Sequence, residues 1–174
     1  MVTPSERAWR TAREVPDPEL PMLTISDLGV LRGVEVAQDG TVVARLTPTY
    51  SGCPAMAEMR AEVAARLRAA GFPEVEVVTA LDPPWTTDWI SAEGGRKLTA
   101  HGIAPPGARQ APDRGTEPVR LPMPLFRPPA SSAVPCPRCA SPDTEEISHF
   151  GSTACTALRR CHVCLEPFEH IKDL

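Results

Sequence analysis

Along residues 54–70 the apolar side chains Met56, Met59, Val63, Leu67 and Ala70 return at steps of three and four, while Glu58, Glu62, Arg66 and Arg68 occupy positions between them. That period predicts a helix from Pro54 to Ala70 with one face made for burial, closed by Gly71. Upstream the period falls to two. Val30 to Ala37 and Val42 to Pro48 alternate apolar and polar side chains around Gln38-Asp39-Gly40, a hairpin signal that makes the two strands antiparallel. Val75 to Leu81 reads as a third strand. Shorter patterns add a helix from Ser5 to Arg13, a turn at Pro16-Asp17-Pro18-Glu19 and a short helix from Met22 to Asp27. A helical turn from Thr86 to Ser91 and a last helix from Ala92 to His101 complete the first part. The order predicts an α+β fold, a small mixed sheet flanked by helices in a domain of about 100 residues.

The periodicity stops at Pro105. Ten of the 33 residues from Pro105 to Pro137 are proline, set among Gly, Ala, Arg and Ser, which predicts an extended linker over residues 109–134. Within it Leu121, Met123, Leu125 and Phe126 interrupt the polar background and are read as docking on one of the domains. The chain thus divides into a domain over 1–108, the linker, and a small module over 135–174.

In that module Cys136-Pro137-Arg138-Cys139 and Cys161-His162-Val163-Cys164 are two Cys-x-x-Cys pairs separated by 21 residues. This spacing fits a zinc ribbon, in which two knuckles close a tetrahedral site of four thiolates. Thr144 to Phe150, Thr156 to Arg160 and Phe168 to Ile171 can supply its strands. A module of roughly 40 residues buries too little apolar surface to stand alone, so structural zinc would supply on the order of 10 kcal/mol of its folding free energy. Cys155 is a fifth thiol in the tail. Three readings stay open for it: packing inside the ribbon, pairing with Cys53 around a labile cluster, or replacing a ribbon ligand if the occupant is an iron-sulfur cluster.

Composition narrows the function. A chain of 174 residues with 42% apolar content holds one ordinary domain plus a small module, and a net charge of −4 gives no general affinity for nucleic acid. Neither a signal-peptide core nor an apolar run long enough for a bilayer is visible, so a cytoplasmic protein without a membrane partner is expected. Cys-x-x-Cys pairs in such a chain point to bound metal in a reducing compartment rather than to disulfides.

One cysteine stands apart, in Thr49-Tyr50-Ser51-Gly52-Cys53-Pro54. Proline suits the first position of a helix, so Cys53 is predicted to be the N-cap, its sulfur facing free backbone N–H groups that favour the thiolate, the form that binds metal. A buried cysteine filling space at a turn is the other reading. No Cys-His-Asp set accompanies it: His149, His162 and His170 lie in the tail and His101 follows the last helix, so a thiol enzyme is the weakest hypothesis. The other polar candidates are Asp17 and Glu19 on their proline turn, Asp82, Thr86, Thr87 and Asp88.

Asp17-Pro18-Glu19, Ile25-Ser26-Asp27-Leu28-Gly29-Val30 and Leu46-Thr47-Pro48-Thr49-Tyr50-Ser51-Gly52-Cys53-Pro54 together resemble the small domain of metal-sulfur cluster biosynthetic proteins, which assist iron-sulfur cluster assembly or transfer. Pro83-Pro84-Trp85-Thr86-Thr87-Asp88-Trp89-Ile90, Gly102-Ile103-Ala104-Pro105-Pro106, Ser152-Thr153-Ala154-Cys155-Thr156-Ala157-Leu158 and the cysteine-rich tail resemble the D-subunit family, also called J, of phenylacetyl-CoA epoxidase systems. The likeness spans nearly the whole chain apart from the linker. It implies an iron-sulfur assembly-like domain over 1–108 and an accessory, non-catalytic role in aerobic phenylacetate breakdown. The oxygenase there converts phenylacetyl-CoA to a ring epoxide. Its reductase carries flavin and a two-iron, two-sulfur cluster, and its catalytic subunit carries a di-iron centre. By the resemblance Cys53 becomes a ligand of a transient cluster or metal, supported by Asp17, Glu19 and Thr49. Cys136, Cys139, Cys161 and Cys164 hold zinc. The implied partners are epoxidase components, first the reductase, and a homodimer is compatible with it. A structural, non-catalytic subunit of the oxygenase complex is the alternative.

Overall fold

The computed structural model describes residues 2–107 and 134–173; all of the predicted linker but its last residue, with Leu121, Met123, Leu125 and Phe126, lies outside the described residues. Helix α1 (Pro4–Arg13) starts at a capping box in which the Thr3 hydroxyl accepts from the Glu6 N–H at 3.2 Å and the Thr3 N–H donates to the Glu6 carboxylate at 2.7 Å. Its buried residues are the small Ala8 and Ala12, so the helix can lie close against strand β1 (Leu31–Val36). Strand β2 (Val42–Leu46) pairs antiparallel with β1, with Val36 opposite Val42 across the turn at Gly40. Helix α2 (Met56–Ala69) crosses back and delivers strand β3 (Val75–Thr79) parallel to β2, so the sheet order is β1-β2-β3 and the sheet is mixed.

The core forms where these periods meet. Met59, Val63 and Leu67 of α2 face Val42, Ala44 and Leu46 of β2 in one buried cluster. Each fully buried Val or Leu there stabilises the fold by about 1.5–3 kcal/mol. A 3-10 turn (Thr87–Trp89), capped by the Thr86 hydroxyl, leads to helix α3 (Ala92–Ala100), whose cap is the Ser91 hydroxyl accepting from Gly94 N–H at 2.9 Å.

The predicted helix at Met22–Asp27 does not form. The segment is a run of turns, because its side chains take the backbone groups a helix would use: Asp27 accepts from Thr24 N–H and Thr24 accepts from Asp27 N–H, both at 3.0 Å. The Ile25 N–H meanwhile donates to the Val15 carbonyl at 2.9 Å and that of Asp17 to the Leu23 carbonyl at 2.9 Å, which ties the turn to the chain after α1.

The tail does not sit apart from the first half. Strand β4 (Ile103–Ala104) pairs parallel with β7 (Pro167–Ile171), which pairs with β6 (Thr156–Cys161) and through it β5 (Thr144–Ser148), giving one sheet β4-β7-β6-β5. Ile171 is buried in the main core, while Ala104 packs with Val134, Cys136, Cys161 and Phe168 of the tail.

At this junction His170 is buried, and its Nε2 has no hydrogen-bond partner among the described residues. Burial, then the Arg159 charge, lowers its pKa below 6.5, while Asp173 and Glu146 pull the other way. The unfolded chain therefore binds more protons than the folded one below pH 6.5, and stability is lost as the pH falls through that value toward the lowered one. Urea unfolding should show this loss in the parent protein, and His170→Leu should flatten it. Equal slopes in the two proteins would refute the assignment.

Candidate functional site

Four separate stretches of chain meet in one narrow cleft. The proline turn contributes Asp17 and Glu19, the loop after β2 contributes Thr49 and Cys53, the segment before the 3-10 turn contributes Trp85, and the tail contributes Cys155 and Ile171. Leu20, Leu28, Val30 and Met59 supply apolar wall. Trp85 is held in place by its indole N–H, which donates to the Leu28 carbonyl at 2.9 Å. The free space is about 20 Å³, room for one water-sized particle.

Asp17 is 6% exposed and its Oδ1 accepts from the backbone N–H groups of Glu19 at 2.9 Å and Leu20 at 2.8 Å. Burial pushes its carboxyl up, only partly offset by those two donors. Glu19 is pushed up by burial and then by the Asp17 charge. The cleft therefore holds two carboxyls that both resist ionisation.

Cys53 differs from the sequence expectation. Helix α2 begins three residues later at Met56, its N-cap is Ala55, and no side chain caps it. Cys53 closes one turn, its N–H donating to the Tyr50 carbonyl at 3.2 Å, and Pro54 lies in the next, where Met56 N–H donates to the Cys53 carbonyl at 3.4 Å, so the thiol is not an N-cap. Half-buried in the cleft, it is not drawn toward the thiolate either: burial raises its pKa, the Ala55 N–H lowers it, and Glu19, Asp17 and Cys155 raise it further. Burial among like charges outweighs the amides of the helix start.

Cys155, at 8% exposure, lies in the same cleft rather than with the other tail cysteines, its Sγ 3.0 Å from Thr153 Oγ1. Of the other polar candidates, Asp82 is exposed, and Thr87 and Asp88 line a different groove with Ser91 and Gly95. His101 Nδ1 donates to the Lys97 carbonyl at 2.8 Å, and His149 and His162 stand on the tail surface beside Glu146 and Glu145.

The stretch Ile25–Val30 gives no polar side chain to the cleft and instead braces it. Asp27 accepts from Lys97 Nζ at 2.7 Å, and its carbonyl accepts from Ser91 N–H at 2.8 Å. Burial would raise the Asp27 carboxyl, but Lys97 and the Thr24 donors together hold it below its ordinary range. Gly29 and Gly94 let backbone approach Trp89 and Asp27 at distances no side chain would allow. No sequence signal marks Trp85, Met59 and Ile171 as cleft residues, since each looks like an ordinary core side chain.

In the tail the sulfurs of Cys136, Cys139, Cys161 and Cys164 all lie within 4.8 Å of one another, and this is the one group of three or more such side chains among the described residues placed to share a metal ion. Cys136 Sγ stands 3.7 Å from Cys164 Sγ, and Cys139 Sγ 3.6 Å from Cys161 Sγ. A tetrahedron with zinc-sulfur bonds of about 2.3 Å has edges of about 3.8 Å, so the cage fits. The backbone N–H of Cys164 draws the Cys161 thiol down to about 6, so this sulfur ionises first. Crowding by its neighbours leaves Cys164 pushed up to about 12, although the Glu166 N–H acts to lower it. A divalent cation removes that conflict.

Two family profiles match this chain: one described as an iron-sulfur cluster assembly protein over residues 6–81, and one described as the PaaD zinc beta ribbon domain over residues 124–172. A protein of Escherichia coli (strain K12) named as the D subunit of 1,2-phenylacetyl-CoA epoxidase is 42% identical over 164 residues, covering 94% of this chain and 90% of that protein. A protein of Porphyromonas gingivalis (strain ATCC BAA-308 / W83) named Fe-S protein maturation auxiliary factor is 33% identical over 90 residues, 51% of this chain and 85% of its own. Among solved structures, a domain of unknown function, DUF59, from Bacillus anthracis superposes with a TM-score of 0.50 at 26% identity, covering 55% of this chain and 91% of that one.

Proposed function

The chain belongs to the family of the 1,2-phenylacetyl-CoA epoxidase D subunit, and from this premise we propose that it is a cytoplasmic, non-catalytic accessory protein that assists maturation of a metal centre in the ring-epoxidising oxygenase. The client is the iron-sulfur reductase component or the oxygenase component. The observation that carries the reading is the cleft: Cys53 lies half-buried beside Asp17, Glu19 and Thr49 on the half that matches the assembly-protein profile. A half-buried thiol that resists ionisation until a cation arrives suits a group that takes up metal and gives it back. The four tail sulfurs are assigned structural zinc on the fit of the cage.

The decisive comparison is between strains lacking this protein and complemented with parent or Cys53→Ser. With the parent, the reductase should carry its full iron and acid-labile sulfide. With Cys53→Ser it should fall to the level of the empty strain, although the variant itself keeps one zinc per chain. A fully loaded reductase and oxygenase in the empty strain would end the maturation reading.

The structural-subunit reading is favoured by one observation, that Phe150, Val163 and Leu165 stand 65%, 64% and 70% exposed on the tail. It requires stable co-purification with the oxygenase at fixed stoichiometry and no effect of Cys53→Ser on cluster content.

A further inference from the structure

We propose that the tail is a hinged wall of the cleft, held shut where β4 pairs with β7, and that a proton on the buried His170 releases it. The hinge goes beyond the maturation reading and rests on that reading only for what the opening serves. With about 20 Å³ of free space, the closed cleft is too small for a side chain of a metal donor or client to enter beside Cys53.

Among the described residues β4 with β7 is the one strand pairing that joins the tail to the first half. It is short: Ile103 and Ala104 stand opposite Glu169 and His170. On the other side of β7 the register sets Ala157 of β6 opposite His170. The imidazole is thus flanked in the sheet by two alanines with no polar side-chain group, and its buried Nε2 has no hydrogen-bond partner among the described residues. An unmet polar atom weakens the closed form that buries it. The next residue, Ile171, enters the main core and lines the cleft, and Lys172 donates its N–H to the Cys155 carbonyl at 3.0 Å. Ile171 and Cys155, the tail's contribution to the cleft, therefore move with β7.

The charges around His170 set the direction. Arg159 on β6 is buried and stands 3.6 Å from Glu146 on β5, and Asp173 follows β7, while β4 carries no titratable side chain. A second cation beside Arg159 is repelled, and Glu146 already answers the first. Water is the better partner for an imidazolium, and the smallest movement that admits water is loss of the two-residue pairing with β4. The tail sheet then swings as one piece, held by its own strand pairs and the four-sulfur cage, and takes Ile171 and Cys155 out of the cleft. Burial and Arg159 keep the pKa of His170 below 6.5 in the closed form, and hydration returns it toward that value, so opening takes up a proton and is favoured as the pH falls through 6.5.

The test compares the full zinc-loaded parent with His170→Leu and with His170→Gln, a second variant that keeps a neutral polar group. Hydrogen exchange of the β4 amides, corrected for the intrinsic effect of pH, reads the hinge. Labelling of Cys155 by a thiol reagent, compared between proteins at one pH, reads the cleft. From about pH 7.5 to about pH 5.5 the opening equilibrium of the parent should rise several-fold, up to about tenfold, and that of either variant less than about twofold. Cys155 should be labelled faster in the parent than in the variants at the lower pH only. Zinc content and the protection of Val63 and Leu67 amides should stay constant, which separates hinge opening from unfolding. Parent β4 exchange that ignores pH, an equal rise in both variants, or loss of β4 protection only in step with Val63 and Leu67 overturns the proposal. If β4 opens as expected but Cys53→Ser still loads the client, the maturation reading falls and the hinge stands. If loading needs Cys53 while β4 never opens apart from the core, the hinge falls and the reading stands.

Discussion

Replacing Cys164 with serine should reduce zinc from one per chain to none and unfold the tail, leaving the first half folded but weakened. Cys164 is one of four sulfurs within 4.8 Å of one another, and beyond the small cluster of Ala104, Val134, Cys136, Cys161 and Phe168 little apolar surface holds the tail together. Metal binding in a structural thiolate site contributes about 10–16 kcal/mol to folding of the segment it closes. No core of this size replaces that. The damage should also cross the junction, because β4 loses its partner β7 and Ile171 leaves the main core, the latter alone costing about 1.5–3 kcal/mol. Zinc content, limited proteolysis between residues 134 and 173, and urea unfolding of the remainder would measure the three parts. Chelation of the parent should reproduce all of them. A variant that keeps an ordered, protease-resistant tail without zinc would show that the metal is not what holds it.

Gly29→Val should be the most damaging single change in the first half. Gly29 has φ +71°, and a Cβ there would lie 2.5 Å from both Trp89 Cβ and the Trp89 carbonyl oxygen. The substitution therefore combines a left-handed backbone in a β-branched residue with a collision against main chain that cannot turn aside. Strain and overpacking together should cost roughly 2–6 kcal/mol of a total stability that is commonly about 5–15 kcal/mol. Displacing Trp89 also shifts the turn beside Trp85, which lines the cleft, so the unfolding midpoint should fall and the cleft lose its shape. Gly71 separates the two causes. It has φ +91° but open space around it, so Gly71→Ala should show backbone strain alone, about 1 kcal/mol. Equal losses for Gly29→Val and Gly71→Ala would mean that contact with Trp89 is unimportant.

Much of this is legible in the residues because the signals are local. A period of three to four between Met59 and Leu67, alternation around Asp39-Gly40, and two Cys-x-x-Cys pairs each place their side chains through bonds and steps along a single segment. The helix start departs from its expected place for a reason of the same scale. Pro54 fits both the first turn of a helix and a turn before it, and the Met56–Cys53 backbone hydrogen bond that closes its turn leaves no mark in composition. The Met22–Asp27 segment has helix-compatible spacing, but Thr24 and Asp27 satisfy each other's backbone and its neighbours pair with Val15, which no window over that segment contains.

Periodicity and spacing thus determine the main helices and strands, the α+β class and the four-sulfur cage, since each follows from residues near one another in the chain, whereas β4 forms only by pairing with β7 of the tail. Where Cys53 sits, whether its thiol is easily ionised, and which half of the protein Cys155 serves are decided only by folding. A thiol's acidity is set by whatever packs around it. Here that is a carboxylate turn from residues 17–19 and a second thiol more than a hundred residues away, brought together when Ile171 enters the core and β4 pairs with β7.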